Sequence, residues 1–586
     1  MRTVLIRSLY VLVIGFLFGL TACKKAVSKQ AKYLPKDAMF VVGINGGAIK
    51  QKLQDDAFSI DNLLSTITGN DSTINSIKEK MSAIKNSGIN LEDPIYLAFR
   101  MNPEVYFHAI GVAALKSADD FESFLKKQIK NAPIQKADDI NYINFEPNSK
   151  RYTVLLGWNK DVVVFTSAEK KSKGYDDYNT DTSGVSKAPS RDNATESDAV
   201  ATLKKIFNQK EEESLVSIPE FKSLQREKAD ATLWMNTTLG ITNNIPMQFP
   251  KLKSLLENYY TAATINFNNG EVVLEGKTYM SKELGEIFKK NAGASIDLSL
   301  LQKYPSNNLN GFASFSIKPE FVVTLVKALG VDGLADIGLM QMGLNFNDVV
   351  NVFKGDFMVA FSDFGMKQVQ SPYDPTYTYT RPDAKWLFMV PLGEKTTVDK
   401  VMGALIQQQK MRKEGNRYIP VGMEMNSFAL QIDDKQIIVT SDSMLLQQYI
   451  YGTGKTTIPA DVESAVKNKV MAIYVDISKI LSVIPIEKSM NGMMVEKMLD
   501  KTKNLFKDLI VTADHYDGTS MNQKWTLRLK DEKENSIKQL YKYAQMIIEF
   551  GMTYVTGFRA AEQMNDYKQP AIDTASSITK DVPVMR

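Results

Sequence analysis

The sequence predicts an α+β fold made of two tandem copies of one module, each a mainly antiparallel sheet covered by helices. Three observations carry this expectation. Short runs rich in Val, Ile, Tyr and Phe, bounded by turn residues, recur along the chain and read as strands. Helical periodicity interrupts them without strict strand-helix alternation, as where Phe121, Phe124, Leu125 and Ile129 share one helix face between two groups of strands. Finally, six elements recur in one order, which predicts two copies of about 250 residues each.

The matches run as follows. Tyr33-Leu34-Pro35 before a strand and a helix is echoed by Tyr304-Pro305 before a strand at 311–317 and a helix at 319–329. The strand DPIYLAF at 93–99 matches GDFMVAF at 355–361, and the strand, turn and helix at 108–129 match 386–405. DVVVFTS at 161–167 matches KQIIVTS at 435–441, and LWMN at 233–236 matches IYVD at 473–476. The hairpin 263–279, turning at Asn269-Gly270, matches 512–529, turning at Asp517-Gly518.

In chain order, residues 1–22 read as a signal peptide: Arg2 and Arg7 supply a positive start, and 4–20 is almost wholly apolar. That run falls short of the roughly 20 residues a spanning helix needs. Leu20-Thr21-Ala22-Cys23 resembles the lipobox of bacterial lipoproteins, in which the cysteine receives a diacylglycerol and the preceding peptide is removed. The resemblance implies a lipid anchor at Cys23. Because Cys23 is the single cysteine, the body that remains would have no thiol for a disulfide, a thiolate zinc site or a nucleophile. Residues 23–32 read as a lipidated tether; Lys24 and Lys25 stand where surface-exposed lipoproteins of the Bacteroidota often carry an acidic run. By that resemblance the periplasmic face of the outer membrane is expected.

The first module spans 33–300: a strand at 39–45, a helix at 49–64, then strands at 95–101, 106–114, 142–145, 151–158 and 162–167, read as a meander. Residues 170–197 hold almost no large aliphatic side chain and read as a mobile loop. Asp176, Asp177 and Asp181 within it fit no calcium-loop spacing. Helices are expected at 199–213 and 221–228. The YLPKDA opening at 33–38 and the KEEES segment at 210–214, attached to the lipobox, resemble an uncharacterised family of Bacteroidota lipoproteins known as a domain of unknown function. That resemblance implies no activity.

The second module spans 301–535, followed by an amphipathic helix within 536–564 and a polar, disordered tail at 565–586. It expands one turn into SPYDPTYTYTRP, so Tyr373, Tyr377 and Tyr379 form a candidate interaction surface; packing of that tip on its own domain competes. Methionine clusters at Met340 and Met342, Met423 and Met425, and Met490, Met493, Met494 and Met498 suit adaptable packing or an apolar groove better than copper, since His108 and His515 stand apart.

No catalytic constellation emerges. Gly452-Thr453-Gly454-Lys455-Thr456 lacks the first glycine of a phosphate loop, and two Ser-x-x-Lys matches lack their partner motifs. No metal or cofactor site is expected, and 71 basic against 67 acidic residues argue against nucleic acid. The leading expectation is a non-enzymatic envelope lipoprotein that binds a protein or lipid partner. The alternatives are a carrier with a Met-lined groove for a hydrophobic ligand, and a hydrolase with an unfamiliar site.

Overall fold

The computed structural model describes residues 27–53, 86–101, 105–129, 133–145, 152–170, 196–242, 250–371, 373–374, 376–422, 428–452, 456–484 and 492–547. Cys23, the calcium-like aspartates, Met423, Met425, Met490 and the tail lie outside them.

A first set of elements runs β1 (Phe40–Asn45), α1 (Gly46–Leu53), β2 (Pro94–Arg100), β3 (Val105–Ala114), α2 (Ala118–Gln128), β4 (Gln135–Ala137), β5 (Ile140–Asn144), β6 (Tyr152–Trp158), β7 (Val162–Lys170), α3 (Glu196–Asn208), α4 (Pro219–Leu224), β8 (Ala231–Asn236), α5 (Thr237–Thr242), α6 (Pro250–Leu255), β9 (Tyr260–Asn268) and β10 (Glu271–Tyr279). Helices α7 (Lys282–Lys290) and α8 (Ser299–Gln302) follow. The second set runs β11 (Leu309–Ser316), α9 (Pro319–Leu329), α10 (Asp332–Met340), α11 (Phe346–Val350), β12 (Asp356–Gln370), β13 (Thr378–Pro391), α12 (Lys395–Gln407), β14 (Met411–Glu414), β15 (Arg417–Pro420), β16 (Ala429–Ile432), β17 (Gln436–Thr440), α13 (Ser443–Tyr451), α14 (Ala460–Val466), β18 (Met471–Val475), α15 (Ile477–Ser482), α16 (Gly492–Leu505), β19 (Phe506–Tyr516) and β20 (Ser520–Leu529).

All the strands join one antiparallel sheet. Its first ten stand in the order β4-β5-β6-β7-β3-β2-β1-β8-β9-β10. The second ten repeat that order, strand for strand, as β14-β15-β16-β17-β13-β12-β11-β18-β19-β20. The two runs meet at β10 and β20, paired from Glu271↔Arg528 to Tyr279↔Ser520.

Each half buries one sheet face under its own helices. Under α3 and α4, Val41, Trp234 and Ala262 lie side by side on β1, β8 and β9; under α13 and α14 the register places Phe312, Tyr474 and Ile510 in the same relation. Pro219 opens α4, where its missing N–H costs nothing, and Phe221 on that helix meets the Trp234 ring edge-on at 5.5 Å. Gly43 lets β1 pass beneath Tyr96: a Cβ there would stand 2.8 Å from the ring.

The first core also encloses His108. Arg100 Nε donates to its Nδ1 at 2.7 Å, so the opposite nitrogen, Nε2, carries the proton and donates to Thr166 at 2.5 Å. Burial, and then the Arg100 charge, push the imidazole from 6.5 down to about 3. Below pH 6.5 the unfolded chain gains a proton that the folded chain refuses, so stability falls as pH drops from 6.5 towards 3, by up to about 1.4 kcal/mol per pH unit. His108→Gln keeps an acceptor and a donor and should flatten that slope in urea titrations at several pH values; an unchanged slope would refute the assignment.

The sequence expectations need correction in four places. The strands of the first half are not a simple meander, because β3 pairs with β7 and sends β4, β5 and β6 outward. The helix expected at 199–213 stops at Asn208 and resumes only as a single 3₁₀ turn, Glu211–Glu213. The helix expected at 221–228 ends at Leu224. The first core takes in part of the stretch expected as a tether at 23–32, since Ala31 is fully buried in it, within a 3₁₀ turn at Lys29–Tyr33. Of the C-terminal helix, 536–547 is described and helical.

Candidate functional site: a bare apolar sheet face

An antiparallel sheet packed on one side ordinarily turns polar residues to water on the other. This sheet does the reverse. Opposite the helices, cross-strand partners form a rung of Ile95, Ile44, Ala231, Ile265, Leu274, Trp525, Val511, Ile473, Ala313, Val359, Phe388, Val439 and Leu430, on thirteen successive strands, with no polar member. The neighbouring rung runs Phe165, Gly111, Leu97, Val42, Leu233, Ala263, Gly276, Gln523, Ala513, Met471, Phe315 and Phe357, with Gln523 its single polar residue. Small residues here, and Val511, are shielded by their neighbours, most large ones are half-buried, and several stand open. Ile44 is 49% exposed, Trp525 45%, Leu97 42% and Phe315 42%.

Among the described residues, helices cap this face towards its two ends and also at the seam, where Tyr516 and Met521 pack against α6, α7 and α9. Phe121 and Leu125 of α2 cover Trp158 and Val163, and Val398, Val401 and Met402 of α12 cover Ile432 and Ile437. From Leu97 on β2 to Phe315 on β11 is eight strand steps, roughly 38 Å at the usual strand spacing. Polar groups gather only near the seam, where Gln523 donates to Thr278 at 3.1 Å and Thr278 meets Thr261 at 3.2 Å. A contiguous apolar area of this extent on a folded chain marks a surface that something covers.

The helix-bearing face has a polar gap at the same seam. Beside α4 lies a groove of about 400 Å³ lined by Glu220, Glu275, Lys277, Lys469, Asp514 and Lys524 among others. Its charges largely neutralise one another: Lys524 pairs with Glu275 at 3.2 Å and Lys469 with Asp514 at 2.5 Å. Among the described residues no group of three or more His, Cys, Asp or Glu could hold a metal ion.

The residues singled out from sequence are scattered. Tyr373 is 96% exposed at the tip of the β12–β13 hairpin, with Tyr377 and Tyr379 also exposed, so this tip does not pack on its own domain. Met342 packs into the core beneath α12, while Met340 faces outward from α10. His515, apart from the methionines, donates from Nε2 to the Gly293 carbonyl at 3.1 Å. Gly452 ends α13 in a left-handed conformation, a helix stop rather than part of a phosphate loop. The apolar rungs go beyond what the sequence expectations contain. Their signal was present in runs such as FVV at 40–42 and LIV at 509–511, which are apolar at successive positions instead of alternating.

The family model described as domain of unknown function (DUF4836) matches residues 30–537. The chain belongs to that family. The match takes in both halves of the sheet and the rungs that cross them. No curated protein matches the chain. A solved structure titled "Structure of crystal form I of TP0453" is similar over 44% of this chain and 80% of its own, at 12% identity and a TM-score of 0.22. Among the described residues no helix is long and apolar enough to cross a membrane.

Proposed function

We propose that this DUF4836 protein is a lipoprotein anchored at Cys23 to the periplasmic face of the outer membrane, and that it binds an apolar, acyl-chain ligand on the bare sheet face. The uniform apolar rung through Trp525 and Ile44 carries the ligand reading. Interior strands have both neighbours, so this face offers no free backbone edge to a polypeptide. It makes almost no directional demands either, which suits hydrocarbon. The lipobox residues and the lysines after Cys23 support the location.

Native mass spectrometry of the chain, extracted mildly from membranes, tests the ligand. Co-purified lipid at a defined stoichiometry is the expected result. A ligand-free mass with a stoichiometric protein partner would sink it in favour of a scaffold role. The exposure of Tyr373 and Tyr377 on the long hairpin favours that second reading, because rigid exposed tyrosines offer contact area at low entropy cost.

A further inference from the structure

We infer that helix α10 is an interfacial contact that seats in an anionic bilayer, separately from the lipid anchor and from the ligand face. The helix exposes Leu334 at 71%, Ile337 at 64% and Met340 at 69%. At 100° per residue these share an arc of roughly 160° with Gly333, Gly338 and Gln341, and no charged residue falls within it. A Cβ added at Gly333 or Gly338 would have no atom within 4 Å, so nothing described covers this side. The opposite side is held: Leu339 packs into the core beneath α12, and Asp336 accepts the Phe346 N–H at 2.7 Å.

Charge decides the occupant. Where α9 turns into α10, the Lys251 ammonium stands 3.2 Å from the position a Cβ would take on Gly330. Lys327, in the last turn of α9, is exposed just before α10 in the chain, and Lys253 is exposed on α6, which packs on α9. An uncharged aliphatic arc beside exposed lysines is the chemistry of a helix lying at the surface of an anionic membrane. Val322, 38% exposed on α9, extends the apolar area. The inference rests on the envelope placement proposed above, and not on the sheet face holding a ligand.

The test places an environment-sensitive fluorophore on Ile337→Cys in the full chain, with Tyr451→Cys as an exposed control, on phosphatidylethanolamine and phosphatidylglycerol vesicles. A blue shift at position 337, quenched by lipid-borne quenchers, is expected, with no shift at position 451. In Lys251→Glu/Lys327→Glu the vesicle concentration needed should rise at least fivefold, with unchanged circular dichroism. A chain that floats with vesicles but shows no shift at 337 overturns this inference and leaves the anchor standing. One that neither floats nor shifts overturns both. A shift already complete without vesicles also overturns it, showing cover by a second copy or another part of the chain.

Discussion

Replacing Trp525 by lysine is expected to weaken binding of a fluorescent fatty acid by nearly two orders of magnitude while leaving the chain folded. Trp525 lies beside the seam, between Leu274 on β10 and Val511 on β19, with nearly half its surface open to solvent. A ligand covering that half would remove about 100 Å² of apolar area from water, worth about 2.5 kcal/mol at ~25 cal/mol per Å². By the relation of about 1.4 kcal/mol per decade, this approaches a hundredfold in affinity. The covered half of the ring is lost as well, but the lysine stem replaces part of its packing, so the loss of about 1–2 kcal/mol should leave the chain folded, which circular dichroism checks. Leu97→Lys, on the same face of the other half, should act in the same direction; Tyr451→Lys, elsewhere, should not. Probe titration with unchanged affinity in both face variants would remove the bare sheet as the site.

How far the sequence discloses this molecule depends on which physical signal each part needs. Local signals work well. The turns at Asn269-Gly270 and Asp517-Gly518 join β9 to β10 and β19 to β20 where the residue types require. The matched strand segments occupy matched positions in the sheet order. Non-local pairing does not show in the same way: β3 could have paired with β4, and nothing in either strand says that β7 will return beside it. The apolar face was hidden for a related reason. An apolar run such as FVV at 40–42 ordinarily means burial on both sides, and only the assembled sheet reveals that, among the described residues, one side is left partly open, with Ile44 of the same strand 49% exposed. His108 gave no sequence signal, since its partners Arg100 and Thr166 come from different strands.

Beside the seam, β20 is tied to β19 by an ion pair the sequence does not announce. Arg528 on β20 holds Asp508 on β19 through two parallel bonds, Nε to Oδ1 at 2.5 Å and Nη2 to Oδ2 at 2.6 Å, and also pairs with Asp461 on α14. Asp508 is almost fully buried, whereas Asp461 is about half exposed. These carboxylates hold the guanidinium's pKa above its ordinary value. Arg528→Met should therefore cost about 3 kcal/mol in urea unfolding, near the low end of the range for an orphaned buried charge because the groove beside Arg528 admits water. Asp461→Ala should cost under about 1 kcal/mol, since that contact faces solvent. The double variant Asp508→Leu/Arg528→Met should recover most of the loss, because it removes the unpaired charge along with its partner. A double variant as unstable as Arg528→Met alone would mean that the pair fixes the geometry of β19 and β20 rather than merely neutralising a buried carboxylate.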